Sequence, residues 1–451
     1  MESNNKKIGI LEKIAFFCAN VGNIPVMTII GSFLLIFYTD IVKLNPVSIG
    51  VLFLIARIMD AICDPLMGFL VDHLPRLKMG RFRPWLIVGG LICSLNFLVL
   101  WLGPSMAVTG KLVIAYISYL LLGPTFALMD ISLNSMIPAM TKSDKERNSL
   151  STIKGLGYLV GSAVVSMVVV PFVAMFPTQK QGYEVLIIVV AIFVFLMALI
   201  GGVGIHERVE PTKQERYPFK VLFKIVFQSK PLIVMFAGSL FVMVGMMVRQ
   251  GATMYYFTYN VKNPGLMVTV SFINLIFSVI SVTILPLLAV RFEKKTVLIG
   301  AFFISAVGAI ILLPVSYGNV PLIIITMAIQ NLGMGGFMAL NYSIQADTVD
   351  YVEWKHGYRT EATVVSLNSF IVKMGQALGG AIPAFVLSTT GYAAGAKTQS
   401  AATLTGINFT MSVIPGVLTA IGALIYFAYP ITHAKYKTII NDLNERRAKT
   451  N

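Results

Sequence analysis

The sequence predicts an all-helical integral membrane protein: twelve transmembrane helices in two six-helix bundles, with both termini in the cytoplasm. Three observations carry that prediction. Of 451 residues, 56% are hydrophobic and only 12% charged, too little polar surface to clothe a water-soluble fold of this length. Apolar runs of about 20 residues, enough to cross a roughly 30 Å hydrocarbon core as helices, recur along the whole chain. The loops between those runs alternate between strongly basic and nearly neutral.

The runs centre near Ile30, Ile55, Cys93, Leu121, Val164, Val194, Val242, Val279, Ile304, Met327, Ile371 and Ile421. They are continuous rather than alternating in ten-residue segments, which excludes a membrane β-barrel. The opening MESNNKKIGILEK is not read as a cleavable signal, because the apolar stretch behind it is too long and lacks a cleavage site.

Charge orients the helices. The sequence holds 35 lysines and arginines. Most lie on one side: near the N terminus, in the loops around Arg76–Arg83, Lys142–Lys154, Arg208–Lys230, Arg291–Lys295 and Lys355–Arg359, and in the C-terminal tail. The other side carries only Lys43, Lys111, Lys180, Lys262 and Lys397. The positive-inside rule places both termini in the cytoplasm. The net charge of +15 is this topological bias and calls for no nucleic-acid partner. Cys18, Cys63 and Cys93 fall inside spans without metal-ligand spacing and read as small apolar residues.

The longest hydrophilic interruption separates six spans from six. The expected organisation is therefore an N-terminal bundle (1–205), a cytoplasmic linker (206–230), a C-terminal bundle (231–432) and a cytoplasmic tail (433–451). No repeat between the halves is obvious from the sequence. Two bundles around a midplane site are the build of a secondary transporter. In the loop DHLPRLKMGRFRPW (Asp72 to Trp85), Arg81 and Arg83 are either positive-inside anchors or gate elements that pair with helix ends in one state.

Charges inside spans point to function, since each costs on the order of 3 kcal/mol on insertion scales. Among the cations these are Arg57, Arg249 and Lys373; among the acids, Asp60, Asp64 and Asp130. In LIARIMDAICDPLMGFLVD, Arg57, Asp60 and Asp64 stand at i, i+3 and i+7, on one helical face. Burial and like charge raise the proton affinity of paired carboxylates, so such a site takes a proton or a small cation. Asp130 is the natural third carboxylate, from the fourth span. Gly123 and Pro124, about two turns earlier, permit close helix approach. Lys373, in NSFIVKMGQALGG, is a charge partner from the second half.

At these residues the chain resembles the glycoside–pentoside–hexuronide cation symporter family, of the major facilitator superfamily. The resemblance runs through FYTD (Phe37 to Asp40), ARIMDAICDPLMG (Ala56 to Gly68), MGRFRPW (Met79 to Trp85) and MDI (Met129 to Ile131). In the second half it runs through RQGATMYYFTY (Arg249 to Tyr259), ADTVDYVEWKHGYRTEA (Ala346 to Ala362) and IVK (Ile371 to Lys373). It implies the major facilitator fold and import of a sugar, glycoside or uronide with a cation. Asp60 and Asp64 match the family's cation-binding carboxylates, Asp130 lies at the cation–sugar boundary, and Arg57 and Lys373 serve coupling. Asn134, Lys154, Asn368 and Ser369 match sugar-pocket positions; Arg249, which is part of the family pattern, and Lys373 are further substrate-binding candidates, in-span cations suited to an anionic sugar. The melibiose-permease-like members carry an acidic residue where this chain has Ile24, leaving Asn20 and Asn23 as the nearby polar groups; an α-galactoside is not expected. Two neutral oxygen ligands of their cation site align with Cys63 and Ala127, whose side chains offer no hard oxygen, so H+ is favoured over Na+.

Two other readings compete. Aspartates spaced DxxxD also mark intramembrane prenyltransferases, with Asp347, Asp350 and Glu353 as partner motif; here that second cluster sits beside Lys355, Arg359 and Glu361 and reads better as a gating salt-bridge set. Lysophospholipid symporters of the same superfamily are the other alternative. Beyond the coupling ion no cofactor is expected. Partners are the sugar and membrane lipid, and the functional unit is a monomer in the inner membrane.

Overall fold

The structure is a computed structural model of the chain, and its described residues are 8–73, 77, 79–141, 143–209, 229–315, 317–357, 361–396 and 398–450. Helices account for nearly all of them. In chain order they are α1 (Ile10–Ile29), α2 (Pro46–His73), α3 (Arg83–Met106), α4 (Lys111–Asn134), α5 (Met136–Met140), α6 (Asp144–Ala174) and α7 (Gln179–Gly204). Then follow α8 (Lys230–Tyr255), α9 (Leu266–Phe292), α10 (Lys294–Ile311), α11 (Val320–His356), α12 (Glu361–Thr389), α13 (Ala401–Met411), α14 (Val413–Phe427) and α15 (His433–Thr450). Helix starts follow local chemistry. Pro84, Pro231 and Pro321 occupy first turns, where a missing N–H costs nothing. The side chains of Thr178, Asn319 and Ser400 accept from backbone N–H groups of the turns they open.

Among the described residues, 11 helical stretches are long and apolar enough to span a membrane. Helix α2, with 28 residues, also has the length. The last span differs from a plain apolar run: it breaks at Ser412, where φ is −116° and ψ −72°, so α13 and α14 together make one crossing. Helix α11, with 37 residues, is roughly 55 Å long, and its final turns outrun any hydrocarbon core.

The chain divides into two compact units. The first comprises Met1–Gln214 with two short segments from later in the chain, Asn263–Ser271 and Tyr392–Gln399. Within it α1 packs on α6 and α7, α3 on α4 and α7, and α2 on α4. An aromatic cluster closes one end: Trp101, fully buried, stacks on Tyr183 at 6.1 Å and meets Phe37 at 4.8 Å, while Tyr38 donates to the Leu100 carbonyl at 2.7 Å.

The second unit comprises Glu215–Lys262, Phe272–Gly391 and Ser400–Asn451. Here α8 packs on α12 and α14, and α10 on α11 and α14. Its core includes Phe302, Phe337, Tyr426, Leu232 and Val352, and reaches Ile439 and Leu443 of α15. The packing order of the first unit is thereby repeated, with α8 in the role of α1, α12 of α6, and α10 of α3.

The repeat reaches single residues. Phe37-Tyr38-Thr39-Asp40-Ile41-Val42-Lys43 ends the first span, and Tyr256-Phe257-Thr258-Tyr259-Asn260-Val261-Lys262 ends the span begun by α8. Each closes with a wide i to i+5 turn, Val42 N–H to Phe37 O and Val261 N–H to Tyr256 O, both 3.0 Å. Each then places its lysine in the left-handed region, Lys43 at φ 66° and Lys262 at φ 58°. The resemblance is one of backbone geometry and residue class, so an identity search along the sequence misses it.

Candidate functional site

The first unit holds a partly buried polar chain across three helices. Asp130 of α4 is its centre. Asn23 of α1 donates to Asp130 Oδ1 at 2.6 Å, and Asn134, one turn along α4, donates to Asp130 Oδ2 at 2.8 Å. Lys154 of α6 donates in turn to Asn134 Oδ1. The lysine therefore reaches the carboxylate through an amide rather than directly, a relay that leaves its remaining protons for another acceptor. The oxygen of Asn23 is buried with no partner among the described residues, an acceptor awaiting a donor.

Beside it lies the charged pair of α2. Arg57 Nη1 and Asp60 Oδ2 are 2.9 Å apart, 15% and 13% exposed. They dock on α4 through two residues one turn apart. Tyr119 stands in hydrogen-bonding reach of Arg57. Gly123 makes room for the carboxylate, since a Cβ there would lie 2.0 Å from Asp60 Oδ1. The close approach expected at Gly123 is realised, and its beneficiary is Asp60. Asp64 follows on the same helix, its side chain outside the described residues. Cys63 is half-buried and Ala127 buried.

Asn20 is brought to α1 near Asn23 but turns elsewhere. It is buried and donates to its own helix at Phe16 O, 2.7 Å away, so its amide N–H is spent locally.

In the second unit Asn368 of α12 is buried, and its side-chain oxygen has no partner among the described residues. Lys373 lies on the same helix, partly exposed; the side chain of Ser369 is outside the described residues. Arg249 sits differently. On α8 it shares a row with Gly238, Val242, Gly245 and Thr253, which meet Tyr426, Gly422, Pro415 and Met411. That row packs on α13 and α14, and Arg249 shares it by helical phase.

The acidic cluster ending α11 draws on partners from other helices. Asp347 is paired with Lys294 of α10, at 2.7 and 2.8 Å, not with Lys355. Asp350 accepts from Tyr436 of α15 at 2.8 Å, Trp354 donates to Asp442 at 2.8 Å, and Arg446 donates to the Trp354 carbonyl at 2.9 Å. Lys355 instead lies over the Tyr351 ring, 5.9 Å from its centre. Glu353 is partly buried; Arg359, and the Glu361 side chain, lie outside the described residues. Sequence spacing favoured partners nearby in the chain, whereas α15 folds back to supply distant ones.

Arg81 and Arg83 enter a reciprocal cap. The Glu207 carboxylate accepts from the backbone N–H groups of Arg81, Phe82 and Arg83 at 2.7, 2.7 and 2.9 Å, closing the start of α3. The Arg83 guanidinium donates to Gly202 O and Val203 O at 2.8 and 2.7 Å, closing the end of α7. Glu207, Tyr119, Lys294 and Tyr436 were missed in the sequence: each acts through a partner more than 50 residues away, and none carries a local motif.

A model of the family described as MFS/sugar transport protein matches residues 15–433. Over 430 residues the chain is 28% identical to the isoprimeverose transporter of Lactiplantibacillus pentosus, covering 94% of this chain and 89% of that one. Over 424 residues it is 28% identical to the glucuronide carrier protein homolog of Escherichia coli (strain K12), covering 92% and 91%. Its fold is similar to the crystal structure of nucleoside transporter NupG, with a TM-score of 0.60, 14% identity, and coverage of 93% and 98%.

Proposed function

The chain belongs to the MFS/sugar transport protein family, and from that premise we propose that it is a symporter importing a sugar, glycoside or uronide with a cation by alternating access. Membership makes it a multi-pass inner-membrane transporter and sets the prenyltransferase reading aside. Relatives named for isoprimeverose and for glucuronide transport support a sugar or uronide as cargo.

The observation that carries the reading is the chain Lys154–Asn134–Asp130–Asn23. A carboxylate caged by two amides, with a lysine behind and an unclaimed amide oxygen beside it, offers both donors and acceptors to vicinal hydroxyls. Asn368 offers a second unclaimed oxygen. Asp60, Asp64 and Asp130 bind the coupling ion, and Arg57 balances Asp60 when the ion is absent. Coupling follows if ion occupancy changes the relative free energy of the two access states. The ion is a proton: Cys63 and Ala127 contribute no side-chain oxygen to complete a sodium shell, whereas a proton needs one carboxylate of raised affinity. Asn20, whose amide donates to its own helix at Phe16 O, supports the site structurally.

The decisive experiment is sugar uptake by cells at constant pH with and without sodium, alongside external pH recording. Sugar-dependent alkalinisation with little sodium stimulation is expected. Strict sodium dependence would overturn the proton assignment.

A further inference from the structure

The turn Tyr392–Gln399 joins α12 to α13, both of the second unit, yet its own contacts belong to the first. It is internally braced. Gln399 holds Ala393 by both main-chain groups, accepting from its N–H at 3.0 Å and donating to its O at 2.7 Å. The turn is bent at Gly391 and Gly395, with φ 73° and 70°.

Two contacts fasten it to the wide turn ending the first span. The Tyr392 hydroxyl donates to Asp40 Oδ1, which also accepts from Thr39 at 2.9 Å. Lys43 donates to Ala394 O at 3.0 Å, and its ammonium fills the space over Gly395, where a Cβ would come within 1.8 Å. The left-handed backbone of Lys43 aims that ammonium, a conformation uncommon for lysine and kept where surroundings impose it.

The repeat supplies a comparison. In the second copy of the motif Tyr259 replaces Asp40, and Asn260 donates to the Leu404 carbonyl of α13 at 2.8 Å, inside its own unit. One copy is thus anchored within its unit. The other presents a carboxylate and a lysine to a turn that comes from elsewhere in the chain.

We propose that Tyr392–Gln399 is a latch, docked on Asp40 and Lys43, that must detach for the membrane face opposite the termini to open. The proposal rests on the alternating-access reading above. Asp40, though acidic and near a span, is on this account a conformational residue and not a cation ligand.

The test uses the full chain with Cys18, Cys63 and Cys93 replaced by Ala and one reporter, Met27→Cys, one turn beyond Asn23 on the same face of α1. Labelling by a membrane-impermeant thiol reagent from outside the cell reports opening of that face. Tyr392→Phe removes only the hydroxyl and should speed labelling on the order of tenfold, the scale for losing a bond to a charged group. Lys43→Ala should act in the same direction and serves if the first variant folds poorly. Unchanged labelling in the folded variants would overturn the latch. The readout needs no substrate: faster labelling without any sugar uptake would sustain the latch and sink the sugar reading, whereas coupled uptake with unchanged labelling would do the reverse.

Discussion

A methyl group at Gly123 should break the charged pair of α2. The added Cβ would lie 2.0 Å from Asp60 Oδ1 and 3.2 Å from its Cγ, while ordinary contact begins near about 3.5 Å. The carboxylate must withdraw by about 1.5 Å, more than the 2.9 Å bond to Arg57 tolerates within hydrogen-bonding range. Both partners are largely shielded, at 15% and 13% exposed, so water replaces the lost contact poorly. A buried bond between charged groups is worth about 1.5–3 kcal/mol, a factor of roughly 10–100 in a two-state equilibrium. Purified Gly123→Ala should unfold a few degrees lower, and its sugar uptake should need about tenfold more of the coupling cation. Removing the carboxylate as well, in Gly123→Ala/Asp60→Ser, should restore neither thermal stability nor coupling, because Arg57 is still left shielded without its partner. A Gly123→Ala protein with unchanged melting and unchanged cation dependence would show that Asp60 is not held against α4.

Other outcomes follow from the same contacts. Asp64→Asn should abolish concentrative uptake while leaving the protein inserted and folded; accumulation at the normal level in energised vesicles would remove Asp64 from the coupling site. Asn23→Ala strips one donor from Asp130 and should weaken sugar binding about tenfold while lowering the melting temperature by a few degrees; unchanged binding by calorimetry would remove Asn23 from the sugar site. Glu207→Gln should lower the melting temperature through loss of about 1 kcal/mol of capping and charge–dipole stabilisation at α3, with Glu207→Ala lower still; equal melting of all three proteins would contradict this. Burial, with Asp350 and Asp347 nearby, pushes the Tyr436 phenol above its ordinary value of 10.0. A raised folded value means that the contribution is fully present below pH 10 and is lost as pH rises beyond it. The melting difference between the natural protein and Tyr436→Phe should therefore stay constant from neutral pH to about 9 and shrink above 10; a difference that grows there would be contrary to the sign.

The membrane class and the helical fold were legible in the sequence because hydrophobic length and loop charge are local quantities, set by the bilayer and not by partners. The costly residues were legible for the same reason: Arg57, Asp60, Asp64 and Asp130 stand out against hydrocarbon wherever their side chains point. What they touch was not. Tertiary packing decided that Asp130 meets Lys154 through Asn134 and that Asn20 turns back on Phe16. It also decided that Asp347 and Asp350 are satisfied by Lys294 and Tyr436, groups 53 and 86 residues away. A hydrogen bond is fixed to tenths of an ångström by helix rotation and crossing, which depend on every interface around a helix. Apolar length, by contrast, survives any rotation, and so the sequence alone announces the spans while only the folded chain assigns their partners.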